Sequence, residues 1–293
     1  MTKFQGCGTA LVTPFQKNGQ LDEPALRKLV RRQIAAGIHY LVPCGTTGES
    51  PTISLEEHLR VVEIVVEEAK GEVPVLAGAG GYWTDDVIDL MERIEKLGVD
   101  GFLSVTPYYN KPTQEGLYQH YKALAKATKL PIVLYSVQGR TGVNLEPATV
   151  ARLAAIKNIV GIKEASGSLA QVARVIHAVP DDFLVLSGDD SVTIALMALG
   201  GHGVISVASN LIPGEMANLA EACLNQDFGT ARAIQKRFLP LMEVNFIESN
   251  PGPVKAGLAL MKLCKPVWRL PLVGPSAASL EKIERVLKEV GVL

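Results

Sequence analysis

The apolar pattern of this chain switches, about every thirty residues, between short runs rich in β-branched residues and longer stretches with helical spacing. That alternation constrains the fold more than any single motif. Strand-like runs fall at residues 9–13, 40–44, 73–77, 101–106, 132–136, 159–163, 183–187 and 203–207. Helical patterns lie between them at 23–36, 55–70, 85–97, 114–128, 147–156, 169–179 and 192–199. Ser54-Leu-Glu-Glu57 fits a capping box, and Gly37, Gly98 and Gly200 fall where helices should stop. Strands that each lead into a helix predict an α/β fold, a (β/α)8 TIM barrel. An open doubly wound sheet is the alternative, but it more often carries a G-x-G-x-x-G turn after its first strand, and here Gly6-Cys-Gly8 precedes the strand. Past the eighth run only helices are expected, at 213–224, 228–244, 253–263 and 276–290. The first completes the barrel. The expected division is therefore residues 1–225 as a barrel carrying the active site, and 226–293 as a three-helix extension packed on it with no flexible linker.

Composition removes several classes of function. A chain of 293 residues that is 47% hydrophobic can bury a large core, and a net charge of −1 offers no basic field for nucleic acid or an anionic membrane. Small-molecule partners are expected. Met1-Thr-Lys-Phe-Gln lacks a hydrophobic signal core, no apolar stretch reaches the length of a membrane span, and Cys7, Cys44, Cys223 and Cys264 form no C-x-x-C pair. These observations predict free thiols in a soluble cytoplasmic protein. His39, His58, His120, His177 and His202 are scattered without ligand spacing, so no metal site is expected. P-loop and dinucleotide fingerprints are absent too.

In such a barrel the chemistry gathers at the C-terminal ends of the strands. Ile159-Val-Gly-Ile-Lys-Glu164 ends a β-branched apolar run with a lysine, whereas the other lysines mostly occupy polar segments or turns. An ammonium at Lys163 would be desolvated, which disfavours its charged form, and a neutral lysine makes Schiff bases with carbonyl substrates. A lysine at a strand end can equally snorkel or pair with a carboxylate. By the two-residue period of a strand, Val133 and Tyr135 share a face, as do Ile159, Gly161 and Lys163 on the next strand. Tyr135 can then lie beside Lys163 as a proton shuttle, with Gly161 leaving room for substrate. Gly45-Thr-Thr-Gly-Glu49 reads as a tight turn with exposed N–H groups and two hydroxyls, suited to a carboxylate or phosphate, or as an ordinary glycine-rich turn. Arg140 can bind a carboxylate bidentately or be a surface arginine. Asp189 and Asp190 suit a metal pair or a helix cap equally, and Glu49 and Glu164 are expected to be structural acceptors.

Taken together, Gly45-Thr-Thr-Gly-Glu49, Thr106-Pro-Tyr-Tyr-Asn-Lys-Pro112, Tyr135 with Gly139-Arg-Thr-Gly142, Gly161-Ile-Lys-Glu-Ala165, Ser187-Gly-Asp-Asp190 and Gly200-Gly-His-Gly-Val-Ile-Ser206 resemble the dihydrodipicolinate synthase family. That family belongs to the pyruvate-dependent class I aldolases, with N-acetylneuraminate lyase. The resemblance covers essentially the whole chain, and Tyr135 with Arg140 narrows it toward the synthases. It implies a lyase that joins pyruvate to L-aspartate 4-semialdehyde, opening diaminopimelate and lysine biosynthesis. No cofactor is implied beyond the covalent imine with pyruvate. By resemblance, Lys163 forms the imine, Thr46 and Thr47 hold the pyruvate carboxylate, and Tyr135 donates and accepts protons. A hydroxyl relay is implied from Tyr135 through Thr46 to Tyr109, which crosses a tight dimer interface into the neighbouring site. Arg140 is implied to bind the second substrate's carboxylate, Gly188 and Ile205 to line the pyruvate pocket, and the assembly to be a homotetramer, a dimer of dimers.

Two departures stand out. Where the family usually reads Asn-Val-Pro-Gly-Arg, this chain has Ser136-Val-Gln138-Gly-Arg140, which removes a constraint on the arginine loop. At the site where lysine-inhibited relatives carry a polar cluster, His58 and Tyr108 are retained but Pro51, Leu55 and Tyr82 replace the usual residues, which predicts weak or absent inhibition by L-lysine. Alternative functions are a pyruvate aldolase acting on a sugar acid such as N-acetylneuraminate or 2-keto-3-deoxygluconate, whose members generally lack the arginine, and a non-catalytic barrel that binds a keto acid.

Overall fold

Alternating side chains on each strand face two different cores. A computed structural model describes residues 3–293; Met1 and Thr2, at the start of the stretch read for a signal, lie outside the described residues. The elements run β1 (Gly6–Ala10), α1 (Glu23–Ala35), β2 (Tyr40–Val42), α2 (Leu55–Ala69), β3 (Leu76–Gly78), α3 (Thr84–Glu95), β4 (Gly101–Val105), α4 (Gln114–Ala127) and β5 (Ile132–Ser136). They continue through α5 (Gln138–Thr141), α6 (Pro147–Ala154), β6 (Ile159–Glu164), α7 (Leu169–Ala178), β7 (Leu184–Ser187), α8 (Thr193–Ala198), β8 (Gly203–Ser206), α9 (Pro213–Leu224), α10 (Phe228–Val244), α11 (Gly252–Leu260) and α12 (Ala277–Glu289). All strand pairings are parallel, in the order β2-β1-β8-β7-β6-β5-β4-β3. A Leu41–Val75 bridge joins β2 to β3, with Gly78 N donating to Pro43 O at 2.9 Å, so the sheet curls into the expected TIM barrel.

Inside the barrel lie Phe4, Tyr40, Val133, Tyr135, Leu184 and Ile205 among others, while Ile132, Leu134 and Ile162 pack outward against the helices. The capping box at Ser54 is present: its hydroxyl accepts from Glu57 N at 3.3 Å, and the Glu57 carboxylate accepts from Ser54 N at 3.0 Å. Gly37, Gly98 and Gly200 have positive φ beyond α1, α3 and α8, where the sequence placed the stops.

Two strands are displaced from expectation. The first runs Gly6–Ala10 instead of 9–13, because its glycines are not turn punctuation: a Cβ on Gly8 would lie 2.1 Å from the Tyr40 ring, which fills the barrel there. The third begins at Leu76 instead of residue 73, since Pro74 has no N–H to give the ladder. After α9, helices α10, α11 and α12 follow; α11 is buried from Gly252 to Leu258. No helix among the described residues is long and apolar enough to cross a membrane.

Candidate active site

The register of β5 and β6 pairs Tyr135 with Lys163, and both side chains point into the barrel. Lys163 is 5% exposed and its Nζ sits 4.2 Å from the centre of the Tyr135 ring. Among the described residues it makes no ion pair, so the carboxylate-paired option is not the one taken. Both residues open onto a cavity of about 240 Å³, also lined by Thr46, Thr47, Arg140 and Gly188. This is below the roughly 300–1,000 Å³ of drug-sized pockets, a scale that suits a small acid.

The loop Gly45–Glu49 is wound tightly. Gly48 N donates to Gly45 O at 3.0 Å and Glu49 N to Thr46 O at 3.1 Å. Thr46 N and Thr47 N find no protein acceptor among the described residues. Two adjacent N–H groups without a protein acceptor among the described residues, in a loop at the cavity wall, form an arrangement that can hold an anion. Thr47 Oγ1 accepts from Asn250 Nδ2 at 3.0 Å. Arg140 reaches the same cavity from the one-turn helix α5, whose bonds hold the loop: Arg140 N and Thr141 N donate to Val137 O at 2.9 and 3.0 Å, and an Arg140 guanidinium nitrogen donates to Asn250 O at 3.0 Å.

Gly188 lines the cavity because nothing larger fits; a Cβ there would lie 2.6 Å from Ala165 Cβ and 3.1 Å from Lys163 Cε. The room left by Gly161 goes to Leu184, 2.6 Å from where a Cβ would be, and not to substrate. Ile205 lies in the barrel's interior cluster, and Val207 is the residue after β8 that lines the cavity. Tyr109 is 92% exposed, with φ 69°, and does not line its own chain's cavity. Its neighbour Tyr108 packs edge-on against Tyr82 at 5.5 Å and lines an adjoining cavity of about 330 Å³ that shares Thr46 and Arg140 and includes His58.

The acids near the site are tied down. Glu164 accepts from Gln171 Nε2 at 2.9 Å, and Glu49 from Lys255 Nζ at 2.5 Å. Asp189 Oδ1 accepts from Ser191 N, while Asp190 Oδ2 accepts from Val207 N and Ala208 N, 3.1 and 2.8 Å away. Burial pushes the Asp190 carboxyl up, with these bonds opposing. The two aspartates brace turns; among the described residues no three His, Cys, Asp or Glu side chains group as metal ligands do. Sequence reasoning missed Asn250 and Phe246 at the cavity. Asn250 carried no local signal, since its partners are remote in sequence.

Residues 3–290 match the family described as the dihydrodipicolinate synthetase family. The chain belongs to that family. A 4-hydroxy-tetrahydrodipicolinate synthase from Syntrophus aciditrophicus is 53% identical over 290 residues, covering 99% of each chain. The crystal structure of dihydrodipicolinate synthase from Thermotoga maritima superposes with a TM-score of 0.97 at 47% identity, covering 99% of this chain and 100% of that one. The chloride-inhibited dihydrodipicolinate synthase from Acinetobacter baumannii, complexed with pyruvate, gives a TM-score of 0.97 at 43% identity with 99% of both chains covered.

Proposed function

We propose that this member of the family is a 4-hydroxy-tetrahydrodipicolinate synthase, condensing pyruvate with L-aspartate 4-semialdehyde through an imine on Lys163. The observation that supports it most is the buried amine of Lys163 over the Tyr135 ring, in a cavity it shares with Thr46 and Thr47; among the described residues the amine has no acid partner and the N–H groups of the two threonines have no acceptor. Thr46 and Thr47 hold the pyruvate carboxylate, leaving the C2 carbonyl toward Lys163. Nζ attacks C2 with its lone pair, and Tyr135 delivers a proton to the carbonyl oxygen and mediates its loss as water. A proton then passes from C3 to Tyr135, which gives it to the aldehyde oxygen as the new carbon–carbon bond forms. The resulting enamine attacks the aldehyde carbon of the second substrate, whose carboxylate is held by Arg140. That substrate's amine finally displaces Lys163 from C2 and closes the ring, so the enzyme returns unchanged and needs no separate cofactor.

Tyr109 serves a second copy's site, receiving the proton relay through Thr46 in a homotetramer built as a dimer of dimers; its near-complete exposure in a single chain supports this. Gly188 keeps the pocket narrow, and Ile205 supports its floor. Residues 226–293 act as a helical unit laid on the barrel of 1–225, and the enzyme works in the cytoplasm with weak or no inhibition by L-lysine. The test is to treat the protein with pyruvate and borohydride, locate the adduct by mass spectrometry, then assay turnover with the semialdehyde and with sugar acids. A stable adduct on Lys163 with semialdehyde turnover is expected. An unmodified Lys163, or an adduct with turnover of sugar acids only, would overturn the reading.

A further inference from the structure

Helix α11 and the turn just before it touch the loop Gly45–Glu49 at two points: Asn250 Nδ2, in the turn, donates to Thr47 Oγ1 at 3.0 Å, and Lys255 Nζ, in the helix, to Glu49 Oε1 at 2.5 Å. Lys255 and Glu49 are both 0% exposed. Glu49 also holds a left-handed backbone, φ 56°, a conformation that a non-glycine residue keeps only when its surroundings fix it. Its N–H closes on Thr46 O at 3.1 Å. That carbonyl and Thr47 N–H belong to one planar trans peptide and so point in opposite directions. Whatever fixes Glu49 therefore aims the Thr47 N–H, and the bond from Gly48 N to Gly45 O aims the Thr46 N–H by the same geometry.

Resting on the imine reading above, we propose that Lys255 is a positioning residue: through its buried pair with Glu49 it sets the orientation of the Thr47 N–H, one of the two that hold the pyruvate carboxylate. The chain of contacts runs from the Lys255 amine to the Glu49 carboxylate, from Glu49 N to Thr46 O, and across that peptide to Thr47 N. None of these groups exchanges a proton or a bond with substrate. Their loss should weaken pyruvate capture and leave the chemical step and the Arg140 side of the cavity alone.

The experiment compares the wild type with Glu49→Gln/Lys255→Met, which removes both charges together, and with Glu49→Asp, which keeps the charges but shortens the reach by one methylene. Borohydride trapping on Lys163 is titrated with pyruvate, and kcat and both KM values are measured, with circular dichroism to confirm folding. In the double variant the half-saturating pyruvate concentration should rise about tenfold, the scale of a lost charge-assisted hydrogen bond, while kcat at saturating pyruvate and KM for the semialdehyde hold. Glu49→Asp should move the same way by about threefold, and it carries the test alone if the double variant does not fold. Unshifted pyruvate dependence in a folded variant, or an equal decline in kcat and both KM values, would overturn the proposal. If wild-type Lys163 formed no adduct, the imine reading itself would fail, which is a different result from an adduct whose pyruvate dependence does not change.

Discussion

Two lysines are buried near this active site, each with its amine over an aromatic ring, and they differ in what else faces them. Lys163 Nζ lies 4.2 Å from the centre of the Tyr135 ring, and Lys255 Nζ lies 4.2 Å from the centre of the Phe15 ring. Lys163 opens onto a cavity and has no acid partner among the described residues; Lys255 meets the Glu49 carboxylate at 2.5 Å. Burial alone thus does not make a nucleophile. An amine locked onto a carboxylate has its lone pair committed to a proton, whereas one facing a cavity beside a phenol can reach a carbonyl carbon. The contrast also separates the two rings, because Tyr135 carries a hydroxyl that can move protons and Phe15 does not.

The sharpest way to break this contrast is to remove each amine in turn. Lys163→Met should lower synthase activity by about 10³-fold or more and abolish the borohydride adduct, since no other lysine among the described residues lines the cavity. Its melting temperature should hold or rise, because a buried amine without a partner is replaced by an apolar chain of similar length. Substantial residual trapping with pyruvate would show that another lysine does the chemistry. Next in size is Tyr135→Phe, which gives Lys163 the same hydroxyl-free ring that Lys255 has. Activity should fall about 10²-fold through loss of proton transfer, with the fold intact. A wild-type rate in steady-state assays would remove Tyr135 from the mechanism.

Only one of these two lysines was legible in the sequence. Lys163 ends a β-branched run, and the two-residue period of strands was enough to put it beside Tyr135. Lys255 lies in Gly252–Leu260, a helix without the polar face that would have marked its lysine as solvated, and its partner is 206 residues away. Asn250 and Thr47 are 203 residues apart. Local pattern shows periodicity, caps and loop chemistry, which is why the barrel and the cavity's strand-end residues could be read. It cannot show which helix of the extension closes on which loop. The misplacement of β1 has the same origin, since Gly8 is needed only because Tyr40, 32 residues on, fills the space beside it.

A third substitution tests the paired lysine alone. Lys255→Met leaves the Glu49 carboxylate buried with neither a counter-charge nor the N–H donor that even a deprotonated lysine would supply, and stability should drop by about 3–5 kcal/mol, read from urea unfolding. A loss below about 1 kcal/mol would mean that Glu49 finds another partner or stays solvated, and the buried pair would no longer distinguish the two sites.

The smallest effect belongs to the double substitution Glu49→Gln/Lys255→Met, which should bring stability back to within about 1 kcal/mol of the wild type or above it. The reason lies in the balance at Lys255. Burial pulls its amine below the ordinary lysine value, and the attraction of Glu49 opposes that shift without cancelling it. With the folded value below the unfolded value of about 10.4, the unfolded chain binds more protons in the window just under that pH, so this group's contribution to stability rises with pH there and is lost as pH falls through the folded value. At neutral pH the buried charge is therefore a net cost, and removing both charges together relieves it. Any stability advantage of the double variant should shrink as the pH is raised toward about 10.4, because the wild type is then relieved by deprotonation. An advantage that grows with pH would reverse the sign assigned to burial at Lys255. A pair that stabilises so little, yet ties the Thr46–Thr47 loop to α11, is better explained by the geometry it imposes on the neighbouring amine's substrate than by its contribution to holding the fold.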